Sequence, residues 1–128
     1  PKMKKVPLIG SIACGDPITA EQNIEKMVDV PENIRCDFSL TCHGDSMIDA
    51  GIHDRDVVYI HIQPEVENGQ IAAVRIGEEA TLKRVYYSGG TLTLMPANPA
   101  YAPMVYTGPQ LEEVQIEGRA VGWTHWVG

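Results

Sequence analysis

The stretch EATLKRVYYSGGTLTLM, Glu79–Met95, predicts a β-hairpin and decides the fold class. Apolar or β-branched residues recur through Glu79–Tyr87 and alternate with threonine in Thr91–Met95, a pattern typical of strands. Ser88-Gly89-Gly90 separates the two runs, and glycine adopts the positive φ angles of tight hairpin turns at low cost. The stretch therefore predicts two adjacent antiparallel strands.

Further strand-like runs lie on both sides of this hairpin, namely Asp37–His43, Asp56–Gln63, Gly69–Ile76 and Glu113–Val121. The pair Asn68-Gly69, just before the third run, predicts a second hairpin turn. The other segments are expected to be a short helix or extended arm at Thr19–Val28, one turn at Ser46–Ile52 and a loop-rich crossing at Pro96–Pro109. Residues 1–128 thus predict one mostly β domain, a curled sheet or partial barrel with little helix.

The charge of the chain argues against a direct grip on nucleic acid. Its 128 residues carry a formal net charge of −7, whereas phosphate backbones are held by clustered Lys and Arg. The basic cluster Lys2, Lys4 and Lys5 is expected to be either a solvated tail or the end of a linker, residues 1–5, from an upstream domain. Because the first residue is Pro1 and not Met, we expect a fragment of a longer protein.

No apolar run approaches the roughly 20 residues that span a bilayer, and the first residues lack the apolar core of a secretory leader. We therefore expect a cytoplasmic protein. Its three cysteines, Cys14, Cys36 and Cys42, are expected to be reduced thiols. The four histidines, His43, His53, His61 and His125, lack the spacing of metal ligands, so we expect neither a metal site nor a cofactor.

Ser46 is a candidate nucleophile. It follows the predicted strand Asp37–His43 in a turn that contains Gly44, where its hydroxyl would be accessible and nearby amides could stabilise an oxyanion. The alternative role is a helix N-cap, for which serine is common. His43 is hard to aim back at Ser46 as a base, and the turn lacks the second glycine of a nucleophile elbow. A Ser-His-Asp hydrolase is therefore disfavoured.

Lys83 is the better candidate for the base that such a serine requires. Strand alternation puts it on one face with Thr81 and Val85, while Leu82 and Arg84 take the other face. If Lys83 points inward, desolvation lowers its pKa and leaves a neutral amine that accepts the serine proton. At most one of Lys83 and Arg84 faces inward. Alternation alone does not say which of them does, and it also leaves open that the two are simply a solvated charged pair.

Several motifs, taken in order, resemble the LexA-type and phage CI-type repressors and UmuD, the Ser-Lys self-cleaving peptidases of the S24 family. The motifs are Gly44-Asp45-Ser46-Met47, Gly51-Ile52, Asp54-Arg55-Asp56, Asn68-Gly69-Gln70-Ile71, Ala80-Thr81-Leu82-Lys83-Arg84, Pro96–Tyr101 and Ile116–Gly122. The separation of 37 positions between Ser46 and Lys83 also fits the family. The resemblance runs from about Val6 to about Gly122 and implies the curled sheet shared with signal peptidases.

The resemblance further implies that the chain cleaves its own backbone. Ala13-Cys14-Gly15-Asp16 is similar to the family's cleavage loop, with the scissile bond between Cys14 and Gly15. Ser46 would be the nucleophile and Lys83 the base, and the backbone amides of Asp45 and Ser46 would hold the oxyanion. Cys in place of the Ala that commonly precedes the glycine in LexA-type repressors occurs in UmuD-like and some phage-type members.

The same resemblance implies a homodimer, a RecA filament as co-protease, and DNA contact only through a domain upstream of this chain. Trp123 and Trp126 suit either an interface or a cap on the domain's own core. The alternatives to a repressor are a UmuD-like subunit of a mutagenic polymerase, a dimerisation domain that has lost cleavage, and a relative of the signal peptidases. The presence of both Ser46 and Lys83 argues against the non-cleaving alternative.

Overall fold

The computed structural model describes residues 2–12 and 15–127, and within them the chain forms one open nine-stranded sheet. The strands are β1 (Met3–Ile9), β2 (Ile24–Pro31), β3 (Phe38–Thr41), β4 (Val57–Ile62), β5 (Ile71–Ile76), β6 (Glu79–Ser88), β7 (Thr91–Met95), β8 (Met104–Thr107) and β9 (Val114–Thr124). Short 3-10 helices cover Glu21–Asn23, Ile48–Ala50 and Gly108–Glu113. The prediction of a mostly β domain with little helix is confirmed.

The strand order is β2-β1-β3-β4-β9-β5-β6-β7-β8. The pair β1 and β3 is parallel, and the other neighbouring pairs are antiparallel. The last strand therefore lies in the middle of the sheet, between β4 and β5. Among the described residues, no helix is long and apolar enough to cross a membrane.

The hairpin predicted at Ser88-Gly89-Gly90 is confirmed. Ser88 of β6 is paired with Thr91 of β7, and the two glycines between them have φ angles of 60° and 79°. A residue with a Cβ would be strained at such angles. This tight turn fixes the register of β6, the strand that carries Lys83.

The hairpin predicted at Asn68-Gly69 is wrong, because β4 pairs with β3 and β9 and not with β5. The two residues do form a turn, in which Gly69 has a φ of 90°. That turn packs along β6: the Asn68 side chain accepts a hydrogen bond from the amide of Tyr87 at 2.8 Å, and the Gly69 amide donates to the carbonyl of Val85 at 2.9 Å. Because the polar groups of this turn are hydrogen-bonded to β6, the turn does not require β4 and β5 to pair with each other.

Three other segments differ from the sequence expectations. Thr19–Val28 is neither a full helix nor a free arm, because its second half belongs to β2, which is paired with β1. The crossing expected at Pro96–Pro109 contains β8, which pairs with β7. Met3–Lys5, expected as the end of a linker, belongs to β1. Each segment is a strand because it pairs with a neighbouring strand. The residue pattern of the segment itself does not reveal that pairing.

The buried apolar residues form three clusters, one of which supports the candidate site. That cluster joins β3 and β4 to the turn after β3, through Met47 and Ile52, and reaches β6 through Leu82. Ile12 and Ile18, which flank the predicted cleavage loop, are buried in the same cluster. The turn that contains Ser46 and both ends of the loop therefore share one core.

Candidate active site

Lys83 lies at the point where β6 loses a strand neighbour. The pairing of β7 with β6 ends at Met95, opposite Arg84, and the chain then leaves the sheet through Pro96. The Ala97 amide donates to the carbonyl of Ser46 at 2.8 Å, and the carbonyl of Ala97 accepts from the amide of Asp49 at 2.8 Å. These two backbone hydrogen bonds hold the Ser46 turn beside β6.

The structure brings the two predicted catalytic side chains together. The Nζ atom of Lys83 lies 3.4 Å from the Oγ atom of Ser46. Nζ also donates to the Oγ1 atom of Thr81 at 2.6 Å and to the carbonyl of Leu82 at 3.1 Å. Thr81, which alternation puts on the same face as Lys83, thus orients the amine, a role that the sequence argument did not assign.

Lys83, and not Arg84, is the inward residue of the pair. The Lys83 residue is 9% exposed, with Leu82 and Val85 packed in separate core clusters on the two faces of β6. Arg84 is partly exposed and donates to the carbonyl of Gly69 at 2.7 Å. Burial lowers the pKa of the Lys83 ammonium below its ordinary value of 10.5, because desolvation penalises the charged form.

The surroundings of Lys83 offer it little negative charge. Within the part of the chain that the structure describes, no carboxylate oxygen lies within 4.0 Å of its Nζ atom. Cys42, which lines the neighbouring cleft, has a thiol whose pKa is raised by burial and by the charges of Asp56 and Asp54. The lysine therefore faces hydroxyls, a carbonyl and a neutral thiol.

The Ser46 hydroxyl does not cap a helix. The short 3-10 helix that follows is capped at Met47 and has no side-chain capping hydrogen bond. The amides of Asp45 and Ser46 donate no hydrogen bond to any described residue. The N-cap alternative for Ser46 is therefore excluded, and its hydroxyl faces Lys83.

Two residues that sequence reasoning left without a role fix the position of Asp45. The Asn98 side chain donates to the carbonyl of Asp45 at 2.9 Å, and the Tyr101 hydroxyl donates to its carboxylate at 2.5 Å. The hydrogen bond and the charge of Asp45 raise the pKa of Tyr101. Both residues belong to Pro96–Tyr101, a segment noted for its resemblance alone.

Ser46 opens into a cleft of about 460 Å³. The cleft is lined by the chain that leaves β1, by the end of β3 and the residues after it, and by the turn between β5 and β6 with the start of β6. These are Ile9–Ile12, Leu40–His43, Ser46–Met47 and Glu78–Leu82. Its walls carry both polar and apolar side chains.

The predicted cleavage site is only partly described. Ala13 and Cys14 lie outside the described residues. Ile12 lines the Ser46 cleft, whereas Gly15 and Asp16 line a second pocket beside Arg75, Gly77, Gln115 and Glu117. The structure does not bring Gly15 or Asp16 into the lining of the Ser46 cleft. Gly15 has a φ of 81°, in the region that favours glycine.

This chain matches one known protein family and several known relatives. The Peptidase S24-like family matches residues 7–121. The chain is 42% identical over 120 residues to the LexA repressor of Pseudomonas aeruginosa, an alignment that covers 91% of this chain and 58% of that protein. It is 40% identical over 125 residues to the LexA repressor of Histophilus somni, covering 95% of this chain and 60% of that protein.

A third relative is the LexA repressor of Bifidobacterium adolescentis, which is 46% identical over 102 residues, 77% of this chain and 40% of that protein. The chain thus spans 60% or less of the length of these relatives. The family match nevertheless covers most of its residues, from β1 to β9. This chain therefore belongs to the Peptidase S24-like family, as a LexA-like domain.

Proposed function

We propose that this chain is the self-cleaving half of a LexA-like transcriptional repressor, which cuts its own Cys14–Gly15 bond with Ser46 as nucleophile and Lys83 as base. The observation that carries the proposal is the distance of 3.4 Å between Lys83 Nζ and Ser46 Oγ, at a lysine that is 9% exposed. A buried amine beside a serine hydroxyl matches the general requirement of an activated nucleophile.

The lowered pKa of Lys83 supports its role as base. A neutral amine has a lone pair for the serine proton, and desolvation increases the neutral fraction at a given pH. Thr81 and the carbonyl of Leu82 hold the Nζ atom in place, so that little reorganisation precedes proton transfer.

The reaction would be an acyl transfer within one chain. Neutral Lys83 takes the Ser46 proton as Oγ attacks the carbonyl carbon of Cys14, and the amides of Asp45 and Ser46 are suited to hold the oxyanion. The C–N bond to Gly15 then breaks, and the Lys83 ammonium returns the proton to the leaving amine. Water, deprotonated by Lys83, hydrolyses the ester and frees the Cys14 carboxylate and the Ser46 hydroxyl.

Tethering would replace substrate binding in this reaction. Ile12 and Ile18 are buried in the cluster that supports the Ser46 turn, and Asn23 donates to the carbonyls of Pro17 and Ile18 at 3.0 and 3.3 Å. The two flanks of the cleavage loop are thus anchored in the core that supports the Ser46 turn. Such proximity is worth several orders of magnitude in rate once the scissile bond adopts a productive geometry.

The repressor function is proposed from the three relatives, each of which is called a LexA repressor. The acidic chain would act as a homodimer, with DNA contact through a domain upstream of it and a RecA filament promoting the cleavage-competent state. Trp123 and Trp126, both exposed here, offer apolar area to such a dimer. Exposure of Trp126 disfavours the alternative in which it caps the core.

The test is self-cleavage in alkaline buffer. The wild-type chain, incubated between pH 7 and pH 10, should yield a fragment that begins at Gly15, at a rate that rises with pH until Lys83 is neutral and then levels off. Intact mass spectrometry and N-terminal sequencing measure the product. Absence of this fragment at every pH, or a product with another N-terminus, would contradict the proposal.

The matched control uses a second serine of the same cleft. Ser46→Ala should abolish the fragment, whereas Ser11→Ala, which alters another lining residue, should leave it. Circular dichroism of both variants checks that the fold is retained. Equal loss in the two variants would mean that Ser46 has no special role.

A further inference from the structure

A second cluster of polar side chains lies where the start of β4 meets the end of β9. It is next to the Ser46 cleft, because the amide of Cys42, which lines that cleft, donates to the carbonyl of Asp56 at 2.8 Å. Val57 of β4 is paired with Thr124 of β9, so Asp56 and His125, each one residue beyond the pair, become neighbours. His53 comes from the loop before β4, where its amide donates to the Asp56 carboxylate at 2.7 Å. None of the three residues lines the cleft.

The three side chains converge on one point. His125 Nδ1 lies 2.6 Å from one Asp56 carboxylate oxygen, and His53 Nδ1 lies 3.6 Å from the other. The two imidazole rings have their centroids 4.4 Å apart. One potential ligand atom from each residue lies within 4.8 Å of those of the other two, a spread that small side-chain adjustments would reduce to the spacing of atoms around one ion.

An ordinary ion pair does not account for the whole cluster. The carboxylate of Asp56, whose residue is 2% exposed, already has His125 and the His53 amide as partners. The His53 Nδ1 atom is nevertheless buried and has no hydrogen-bond partner among the described residues. A simple ion pair gives no role to this buried ring nitrogen, which lies near a carboxylate but does not hydrogen-bond to it.

The His61–Asp37 pair of the same protein is a useful contrast. His61 Nδ1 lies 2.9 Å from Asp37, whose carboxylate also accepts from the Ile62 amide. This pair has one imidazole, one carboxylate and a backbone donor, as in the larger cluster. It lacks the second imidazole, so among the described residues it does not form a group of three potential metal ligands.

We propose that His53, Asp56 and His125 form a binding site for a divalent transition-metal ion of the zinc type. Two imidazole nitrogens and one carboxylate are a ligand set that suits such ions. The His53 and His125 side chains are 46% and 42% exposed, which leaves solvent access for water as a fourth ligand. The ion would take the place of the proton between His125 and Asp56 and bond the buried His53 nitrogen.

This inference revises the expectation that the histidines hold no metal. In the sequence, His53 and His125 have no ligand motif, and only the pairing of β4 with the last strand brings them together. A bound ion would tie the chain after β9 to the loop before β4. It would therefore stabilise the central part of the sheet.

The test is zinc binding to the uncut chain, in the Ser46→Ala background so that cleavage does not intervene. Isothermal titration calorimetry with Zn²⁺ should give one site per chain. Bound Co²⁺ should give a visible absorption band that is typical of an ion with low coordination number. His53→Ala and His125→Ala should each weaken binding by at least about tenfold, the lower limit for loss of even an indirect metal contact.

His61→Ala is the matched control, because it removes an imidazole from the other histidine–aspartate pair and should leave the affinity unchanged. The three variants retain Asp56 and all cysteines, so zinc held by thiols would survive in each of them. Thermal melts without metal check that each variant folds. Absence of binding to the parent protein, or equal weakening in all three variants, would overturn the proposal.

Discussion

Two buried cations lie on adjacent strands of this sheet and have opposite surroundings. Arg75 of β5 donates from Nε to the Glu117 carboxylate of β9 at 2.9 Å, and both side chains are almost entirely buried. Lys83 of β6 is equally buried but meets the Ser46 and Thr81 hydroxyls and a backbone carbonyl. The first cation is neutralised by a carboxylate, whereas the second is favoured as a neutral amine.

The difference explains why the first cation suits a structural role and the second suits the proposed role of a base. A buried charge that has an opposite charge beside it stays ionised, and its removal leaves the partner stranded. A buried amine without such a partner has its pKa lowered, because desolvation penalises the charged form. Burial alone therefore does not mark a candidate base, whereas burial without a charged partner does.

The largest effect is expected when the amine is replaced by a group that keeps its charge. Lys83→Arg should reduce self-cleavage by at least about 10²-fold, the lower range for loss of a general base, because a guanidinium remains protonated at every accessible pH. The rate of appearance of the Gly15 fragment, followed by mass spectrometry, measures this effect.

Lys5→Arg is the control for that prediction, since it makes the same change at an exposed lysine that forms an ion pair with Asp29 at 2.7 Å. It should leave the cleavage rate within a few fold of the wild type. Cleavage by Lys83→Arg at the wild-type rate would remove Lys83 from the mechanism and end the contrast between the two cations.

The sequence was sufficient to predict the strands that carry their own pattern. The hairpin Glu79–Met95 was found because Gly89-Gly90 interrupts two clear runs. Ser46 and Lys83 were singled out because residue chemistry and the family resemblance pointed to the same positions. The inward orientation of Lys83 over Arg84, which alternation left open, depended on the packing of both faces of β6.

What the sequence could not predict are the contacts made between distant strands. Insertion of β9 between β4 and β5 creates both the Arg75–Glu117 pair and the proximity of Asp56 to His125. No local periodicity encodes either contact. Tyr101 and Asn98 were likewise missed, because a side chain that supports Asp45 across more than fifty residues has no pattern of its own.

The second prediction concerns stability and reverses the ranking of the two cations. Arg75→Met should lower the free energy of unfolding by about 3 kcal/mol, because Glu117 is left buried and unpaired. Lys83→Met should be neutral or stabilising, since it removes an unpaired amine from a buried site. Urea denaturation followed by circular dichroism compares the two variants.

The double variant Arg75→Met with Glu117→Leu distinguishes a stranded charge from lost packing. It should recover most of the stability that Arg75→Met loses, because no carboxylate is then left without a partner. If the double variant is as unstable as the single one, the loss comes from packing, and the pair is not electrostatic in the sense argued above.

The smallest effect is the pH dependence of the Lys83→Met gain. Between the lowered pKa of folded Lys83 and the ordinary 10.5 of the unfolded chain, the unfolded state binds more protons, so wild-type stability rises with pH relative to the variant. Lys83→Met should therefore be more stable than wild type at pH 7, by about 1 kcal/mol, the usual scale of a single change. This advantage should shrink as the pH approaches 10.5.

Urea titrations of both proteins at several pH values measure this advantage, with Ser46→Ala in each background to prevent cleavage. Other groups titrate equally in the two proteins and cancel in the difference, so a gap that is constant with pH would mean that Lys83 has the same pKa folded and unfolded.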